Sequence, residues 1–299
     1  MHLYAEGSHV IARAPAKVNL FLEVLGRRDD GFHEIETVMC TINLFDTLRF
    51  ESDPSGQVSF QWMGALGTRV KRSGTPDIAD VPSDASNLVV RAVELLRSET
   101  GVDHGAKLGL HKRIPSAAGL GGGSSDAATA LLAANHGWQL GLAQKELEKL
   151  AAKLGSDVPF FLYQSPALCR GRGENVEPLA LSGRLYLVVV KPPVELSTVK
   201  VYNNYVASEH RVAWNRKPRP RQLSDVRLFN RLQSAAESLT PWIAKTMDLF
   251  TRLGVPLHQM TGSGSAYFGI CASARHARQI ASRLRQFQAG DVYCTTTCS

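Results

Sequence analysis

Long apolar runs are missing from this 299-residue chain. Those present, such as residues 187–190, fall far short of the roughly 20 residues a membrane-spanning helix needs. Residues 1–16 show no basic start followed by an apolar core, so no signal peptide is expected. Cysteine is scarce. The five residues Cys40, Cys169, Cys271, Cys294 and Cys298 are odd in number and scattered, which argues against a disulfide framework. Cys294 and Cys298 stand close together, but no histidine or second cysteine pair follows to complete a zinc site. Reduced thiols and a cytoplasmic location are the expectation. The familiar nucleotide loops are missing too. There is no G-x-x-x-x-G-K-[ST], no G-x-G-x-x-G to support a dinucleotide-binding sheet, and no H-R-D or D-F-G element of protein kinases. No repeat recurs at a fixed period.

What is present is a globular composition, with 44% hydrophobic and 20% charged residues. The length suits one large domain or two ordinary ones, at roughly 100–200 residues each. Lysine and arginine total 34 against 27 acidic residues, a net charge of +7. Such a surface attracts nucleic acid, and a polyphosphate ligand equally well.

Strands and helices are mixed along the chain. Alternation and β-branching predict strands at residues 18–24, 37–42, 47–50 and 106–112, and again at 185–190 and 265–270. Helical spacing is expected at 87–100, with Asn87 capping its start and Gly101 its end. Further helices are predicted at 124–134, at 145–154 ending on Gly155, at 239–253, and at 274–287 as a basic amphipathic segment. Residues 63–83 read as a surface loop rich in Gly, Pro and charge. Residues 210–221, basic and with two prolines, read as a connection. The domain boundary is placed at the strand that begins near Leu185.

Chemistry concentrates in residues 112–135, KRIPSAAGLGGGSSDAATALLAAN. A strand runs into Pro115, then a loop with Gly119, Gly121, Gly122 and Gly123, then Ser124 and Ser125 opening a helix. Glycines let backbone approach a ligand without a Cβ in the way. A helix start adds free N–H groups and the positive end of the macrodipole. Together they suit phosphate. The plainer alternative is a Gly-rich turn with a serine N-cap; the serines suit a cap, a phosphate bond or Mg²⁺ equally.

The string P-S-A-A-G-L-G-G-G-S-S-D-A resembles the phosphate-binding motif of the GHMP kinases, the galactokinase, homoserine, mevalonate and phosphomevalonate kinase superfamily. Pro15-Ala16-Lys17-Val18-Asn19-Leu20 resembles its N-terminal motif, and Thr261-Gly262-Ser263-Gly264-Ser265 its C-terminal glycine motif. The continuation of the first motif through Leu48, with G-R-R-D-D-G-F-H at its centre, resembles the branch whose acceptor is a cytidine diphosphate sugar alcohol, in the non-mevalonate route to isoprenoid precursors. Leu154-Gly155-Ser156-Asp157-Val158-Pro159-Phe160-Phe161 resembles its catalytic segment, and Leu228-Phe229-Asn230-Arg231-Leu232 a segment of its second domain. The likeness spans almost the whole chain, apart from residues 63–83, 210–221 and the tail after Gly290.

The resemblance implies an α/β (α+β) two-domain kinase. An ATP-binding N-terminal domain over residues 1–184 would be like ribosomal protein S5 domain 2. A C-terminal domain over 185–299 would be ferredoxin-like, with a cleft between the two. ATP is the implied phosphoryl donor, with Mg²⁺ expected and no protein ligand for it assigned. The implied partners are small molecules, ATP and the cytidine diphosphate sugar alcohol, with no membrane and no nucleic acid.

Roles follow residue by residue. Asp157 is the implied general base, against a plain N-cap with Pro159 in the first turn. Lys17 is its implied cationic partner, offsetting charge that develops on the reacting oxygens, against an outward solvated lysine. Asn19 shares the strand face of Lys17 and orients substrate hydroxyls. Pro115, Ser116, Ala117, Ala118, Gly119, Leu120, Gly121, Gly122, Gly123, Ser124 and Ser125 hold ATP. Phe32 stacks on the cytosine and His33 bonds it, with Thr198 beside the acceptor and Tyr202 as the opposing wall. Many relatives carry Tyr where Phe32 stands; phenylalanine stacks as well but has no hydroxyl to offer the base. For Phe32 the duller alternative is a surface loop aromatic, and for Tyr202 simple packing. The glycine turn at 262–264 closes and shapes the site. Two rivals stand beside this reading: a GHMP kinase for another small alcohol, such as homoserine or mevalonate, and a basic nucleic-acid-binding protein. The Gly31-Phe32-His33 segment argues against the first, and the want of an RNA-binding signature against the second.

Overall fold

A short strand β1 (His2–Glu6) leads into two exceptionally long ones, β2 (His9–Arg27) and β3 (His33–Asp53). The computed structural model describes residues 2–6, 9–63, 86–163, 166–207, 212, 214 and 220–298. The predicted strand at 18–24 is thus the inner part of β2, and those at 37–42 and 47–50 are one continuous β3. From Ala14 to Val24 every residue of β2 is buried. Both faces are covered, so the period-two signal that marks strand ends is lost.

The chain forms two compact units. One comprises Met1–Ala16, Leu44–Ser116 and Gly121–Gln164; the other comprises Lys17–Asn43, Ala117–Leu120 and Ser165–Ser299. The first carries the outer parts of β2 and β3 with β4 (Val58–Trp62), α1 (Leu88–Thr100), β5 (Gly105–His111), α2 (Gly122–Gly137) and α3 (Gln144–Leu154). Its strands run in the order β1-β2-β3-β5-β4, with β5 antiparallel to β3 and parallel to β4. Helix α1 has the expected frame. Asn87 Oδ1 accepts the Val89 N–H at 2.9 Å, and Gly101 closes the helix at φ 68°. Helix α2 buries Ala127, Ala128, Ala130, Ala133 and Ala134, a small-residue face that lets α1 approach closely. Helix α3 ends at Gly155 as expected, in an extended conformation (φ 171°). The predicted loop at 63–83 lies outside the described residues apart from Met63.

In the second unit follow β6 (Ala167–Gly171), β7 (Asn175–Pro178), β8 (Tyr186–Lys191), α4 (Thr198–Asn203), β9 (Phe229–Asn230), α5 (Gln233–Leu239), α6 (Pro241–Arg252), β10 (His258–Met260), β11 (Tyr267–Cys271), α7 (Ala274–Gln286) and β12 (Asp291–Thr296). Strand β6 pairs with the first half of β3, from Ile35↔Gly171 to Met39↔Ala167, and β9 lies parallel to β2 at Phe21 and Leu22. An antiparallel sheet β10-β11-β8-β12 shares a core with α5, α6 and α7 through Val188, Val190, Ile243, Phe250, Ile280 and Leu284. The helix predicted at 239–253 is α6, Pro241–Arg252, which follows directly on α5. Pro241 has no N–H to continue α5, so α6 starts there, with the Thr240 hydroxyl accepting from Trp242 N at 3.3 Å. The basic connection at 210–221 lies largely outside the described residues. All five cysteines are free thiols. Among the described residues no helix is long and apolar enough to cross a membrane.

Candidate active site

In the first unit the phosphate segment differs from expectation in its cap. Helix α2 begins at Gly122, with Gly121 as N-cap at φ 70° and no side chain capping it. Only glycine takes that left-handed turn without strain. Ser124 and Ser125 therefore lie inside the first turn, and the serine-cap alternative is set aside. The first-turn amides have no intrahelical acceptor, and the helix dipole makes that end positive. The Ser125 hydroxyl is fully buried and has no hydrogen-bond partner. An orphaned hydroxyl at a helix start suits a phosphate oxygen or a hard cation. No group of three His, Cys, Asp or Glu residues able to hold a metal occurs among the described residues. Mg²⁺ fits such a site by taking one or two protein oxygens and completing its shell on phosphates and water.

Behind this helix start lies a cluster that motif reading passed over. Lys112 Nζ donates to Asp46 Oδ2 at 2.5 Å and to Asp126 Oδ2 at 2.7 Å. Asp46 Oδ1 also accepts the backbone N–H groups of Arg113 and Ile114. Burial pushes the Asp126 carboxyl up, to about 8, despite the pull of Lys112. Burial would lower Lys112, but the two carboxylates raise it overall. Asp157 stands half-buried in the turn between α3 and a 3-10 turn at Pro159–Leu162. Val158 occupies the cap position and Pro159 the first turn, so Asp157 precedes the cap instead of filling it.

In the second unit Lys17 is buried, only 3% exposed, so it is no solvated surface lysine. Its Nζ donates to Asn19 Oδ1 at 2.7 Å. Asn19 Nδ2 donates to Thr37 Oγ1 at 2.8 Å, and Thr37 Oγ1 to the Phe21 carbonyl at 2.6 Å. Thr261 Oγ1 accepts from Asn19 N at 3.0 Å and donates to Asn19 Oδ1 at 3.2 Å. A buried cation needs such a partnered surround. No motif marks Thr37, because its place beside Asn19 is set by the pairing of β2 with β3.

The two glycine turns meet in this unit. A Cβ on Gly119 would lie 2.3 Å from the Thr261 carbonyl, so only glycine fits. Lys17 N donates to the Leu120 carbonyl at 2.9 Å, and Ala266 N to the Ala118 carbonyl at 3.0 Å. Ala117 takes φ 48°, an uncommon value for a residue with a side chain. Asn230, in the second-domain segment 228–232, donates to the carbonyls of Met260 and Gly262 at 2.8 and 2.9 Å. Thr198 Oγ1 shares a hydrogen bond with Ser263 Oγ at 2.9 Å, tying the start of α4 to the same turn.

Phe32 follows Gly31 in the β2–β3 turn and is 50% exposed, with the Arg172 guanidinium 4.8 Å above its ring. His33 stacks on Tyr202, with centroids 4.9 Å apart and planes at 30°. Tyr202 thus lies against His33, while Phe32 carries Arg172. Burial and the nearby Arg27 charge lower the His33 pKa. A cavity of about 360 Å³ is lined here by Val24, Arg27, His33, Tyr202 and Tyr205, among others. An aromatic, polar-rimmed hollow of that size takes a planar ring.

The chain belongs to the GHMP kinases. Residues 87–165 match the GHMP kinases N terminal domain, and residues 218–290 the GHMP kinases C terminal domain. A 4-diphosphocytidyl-2-C-methyl-D-erythritol kinase of Pelotomaculum thermopropionicum is 41% identical over 284 residues, covering 93% of this chain and 94% of the relative. The crystal structure of a 4-(cytidine 5'-diphospho)-2C-methyl-D-erythritol kinase superposes with a TM-score of 0.78 at 34% identity, covering 97% of this chain and 99% of that one. A homoserine kinase from Cytophaga hutchinsonii shares the fold at a TM-score of 0.71, with 18% identity and coverage of 99% and 96%.

Proposed function

We propose that this chain transfers the terminal phosphoryl group of ATP to the 2-hydroxyl of 4-diphosphocytidyl-2-C-methyl-D-erythritol. One observation carries the reading: 41% identity, along nearly the full length of both chains, to a kinase of that name. Phosphoryl transfer of this kind depends on positioning and electrostatics more than on covalent chemistry by the protein. In this reading residues 115–125 hold the ATP phosphates, with the free amides at the start of α2 facing them. The Ser124 or Ser125 hydroxyl would hold Mg²⁺ together with the phosphates, and the ion would supply charge neutralisation.

Asp157 takes the proton of the acceptor hydroxyl, and Lys17 offsets the charge that builds on the reacting oxygens. Asn19 fixes the direction of the Lys17 ammonium, which its 2.7 Å bond supports. Phe32, His33, Thr198 and Tyr202 receive the cytidine end, the His33–Tyr202 pair forming one wall. The ATP-binding N-terminal domain is assigned to residues 1–184 and the C-terminal domain to residues 185–299. The partners are these two small molecules, and the enzyme works in the cytoplasm. The test is product analysis after incubation with ATP and the cytidine substrate. Phosphorus NMR should show a new monoester at C2 with one ADP per product, and its absence would remove the assignment.

A further inference from the structure

We infer that Lys112, gripped by Asp46 and Asp126, is a positioning residue that presets the start of α2 for the ATP phosphates. The inference rests on the kinase reading and goes past it, since Asp46 lies outside the motifs and Asp126, the aspartate of the phosphate-binding string, has no role in that reading.

The geometry is a chain of three buried ionisable groups. The side chains of Lys112, Asp46 and Asp126 are 7%, 0% and 4% exposed. Asp46 is anchored in β3. Its Oδ2 takes the Lys112 ammonium, and its Oδ1 takes the N–H groups of Arg113 and Ile114, the last two residues before Pro115. The same ammonium reaches Asp126 in α2 at 2.7 Å. A Cβ built on Gly122 would come within 3.1 Å of Lys112 Nζ and 3.0 Å of Ile114 Cγ2. The first residue of α2 therefore rests directly on the grip.

Stability alone does not account for this placement. A buried ionic cluster is often matched or bettered by apolar side chains of similar volume. A cation beneath a helix N-terminus also opposes the helix dipole. Asp126 Oδ1 is buried without a partner, a further cost. What the cluster achieves is control of both ends of the phosphate segment, Lys112–Ile114 on entry and Gly122–Asp126 on exit. The residues between include Gly119 and Gly121, which set few backbone angles of their own. A glycine-rich segment binds a polyanion tightly only when its ends are fixed beforehand.

The experiment is calorimetric titration of ADP with Mg²⁺ into wild type, Asp126→Ala and Asp126→Asn, followed by steady-state KM values for ATP and for the acceptor. Asp126→Ala should weaken ADP about 10- to 100-fold and raise the KM for ATP in step, with the acceptor KM within about two-fold. Asp126→Asn keeps an oxygen for Lys112 Nζ and should restore both constants to within about three-fold. A purely structural role would lower the bound stoichiometry, through loss of folded protein, and leave the affinity unchanged. ADP affinity within about two-fold of wild type in Asp126→Ala overturns the inference. Should that variant fail to fold, Asp126→Ser, too short to reach Nζ, carries the same expectation and the same overturning result. No acceptor is present in the titration, so a wrong acceptor assignment leaves this outcome standing.

Discussion

Lys17 and Asn19 stand two positions apart on β2 and face the same side, the Lys17 ammonium donating to Asn19 Oδ1 at 2.7 Å. Alternation along a strand dictates the shared face. The long β2–β3 pairing then supplies Thr37, and the β10–β11 turn supplies Thr261, to hold Asn19 in place. The result is a cation whose direction is fixed before any ligand arrives.

The proposed catalytic pair, Asp157 and Lys17, gives the first prediction. Asp157→Asn keeps the shape of the side chain and removes the proton acceptor, so kcat should fall about 10²- to 10⁴-fold. Binding of both substrates should change far less, because the loss falls in the transition state. Lys17→Ala should lower kcat too, and the double variant should cost less than the product of the single effects. Rapid-quench kinetics on the three variants checks this. A kcat within a few-fold of wild type in Asp157→Asn would send the search for the base elsewhere.

The glycines give the second. Gly119→Ala places a methyl 2.3 Å from the Thr261 carbonyl and should force the two glycine turns apart, lowering the melting temperature and activity together. Gly122→Val instead pushes on Ile114 and Lys112, and should abolish ATP binding in a chain that still folds. Circular dichroism with calorimetry separates the two. Normal ATP affinity in folded Gly122→Val would contradict the phosphate-segment assignment.

Much of this arrangement is legible in the sequence, for reasons that can be named. Asn87 and Gly101 frame α1 through local capping, which sequence carries directly. The order of motifs places the glycine segment and its helix, yet the serines mask the glycine N-cap that precedes them. Asp46 and Lys112 are 66 positions apart, and nothing in L-F-D-T-L marks its aspartate as a tether. Strands β6, β9, β10 and β12 are short or lie among polar residues, so periodicity gives them no signal.

Phe32 gives the third prediction. Stacking of a base on an aromatic ring contributes about 1–3 kcal/mol. Phe32→Ala should therefore weaken the cytidine substrate about 5- to 150-fold and leave ATP affinity unchanged. Equilibrium titration of the acceptor into the variant measures it. Unchanged acceptor affinity would detach Phe32 from the cytidine site.

The ion pair of Glu23 with Arg231 gives a pH-dependent prediction. Both Glu23 oxygens accept from Arg231 at 2.7 Å, with Val24 N and Val212 N adding bonds. Burial would raise Glu23, but these donors hold its pKa below the ordinary 4.5. Its contribution is therefore complete above about pH 4.5 and is lost as pH falls through the lower folded-state value. Glu23→Gln leaves the partly exposed Arg231 without its counter-charge and should cost about 1–3 kcal/mol near neutrality. The gap to wild type should narrow steadily in acid. Urea unfolding at pH 7 and at lower pH tests it, and a gap independent of pH would rule out the ionic origin.

The most direct test of the central claim is ADP release measured across a panel of acceptors: 4-diphosphocytidyl-2-C-methyl-D-erythritol, homoserine and mevalonate, each with the same enzyme and ATP. The account predicts turnover with the cytidine diphosphate sugar alcohol and little above the acceptor-free rate with the other two. Turnover with homoserine or mevalonate, and none with the cytidine compound, would contradict it.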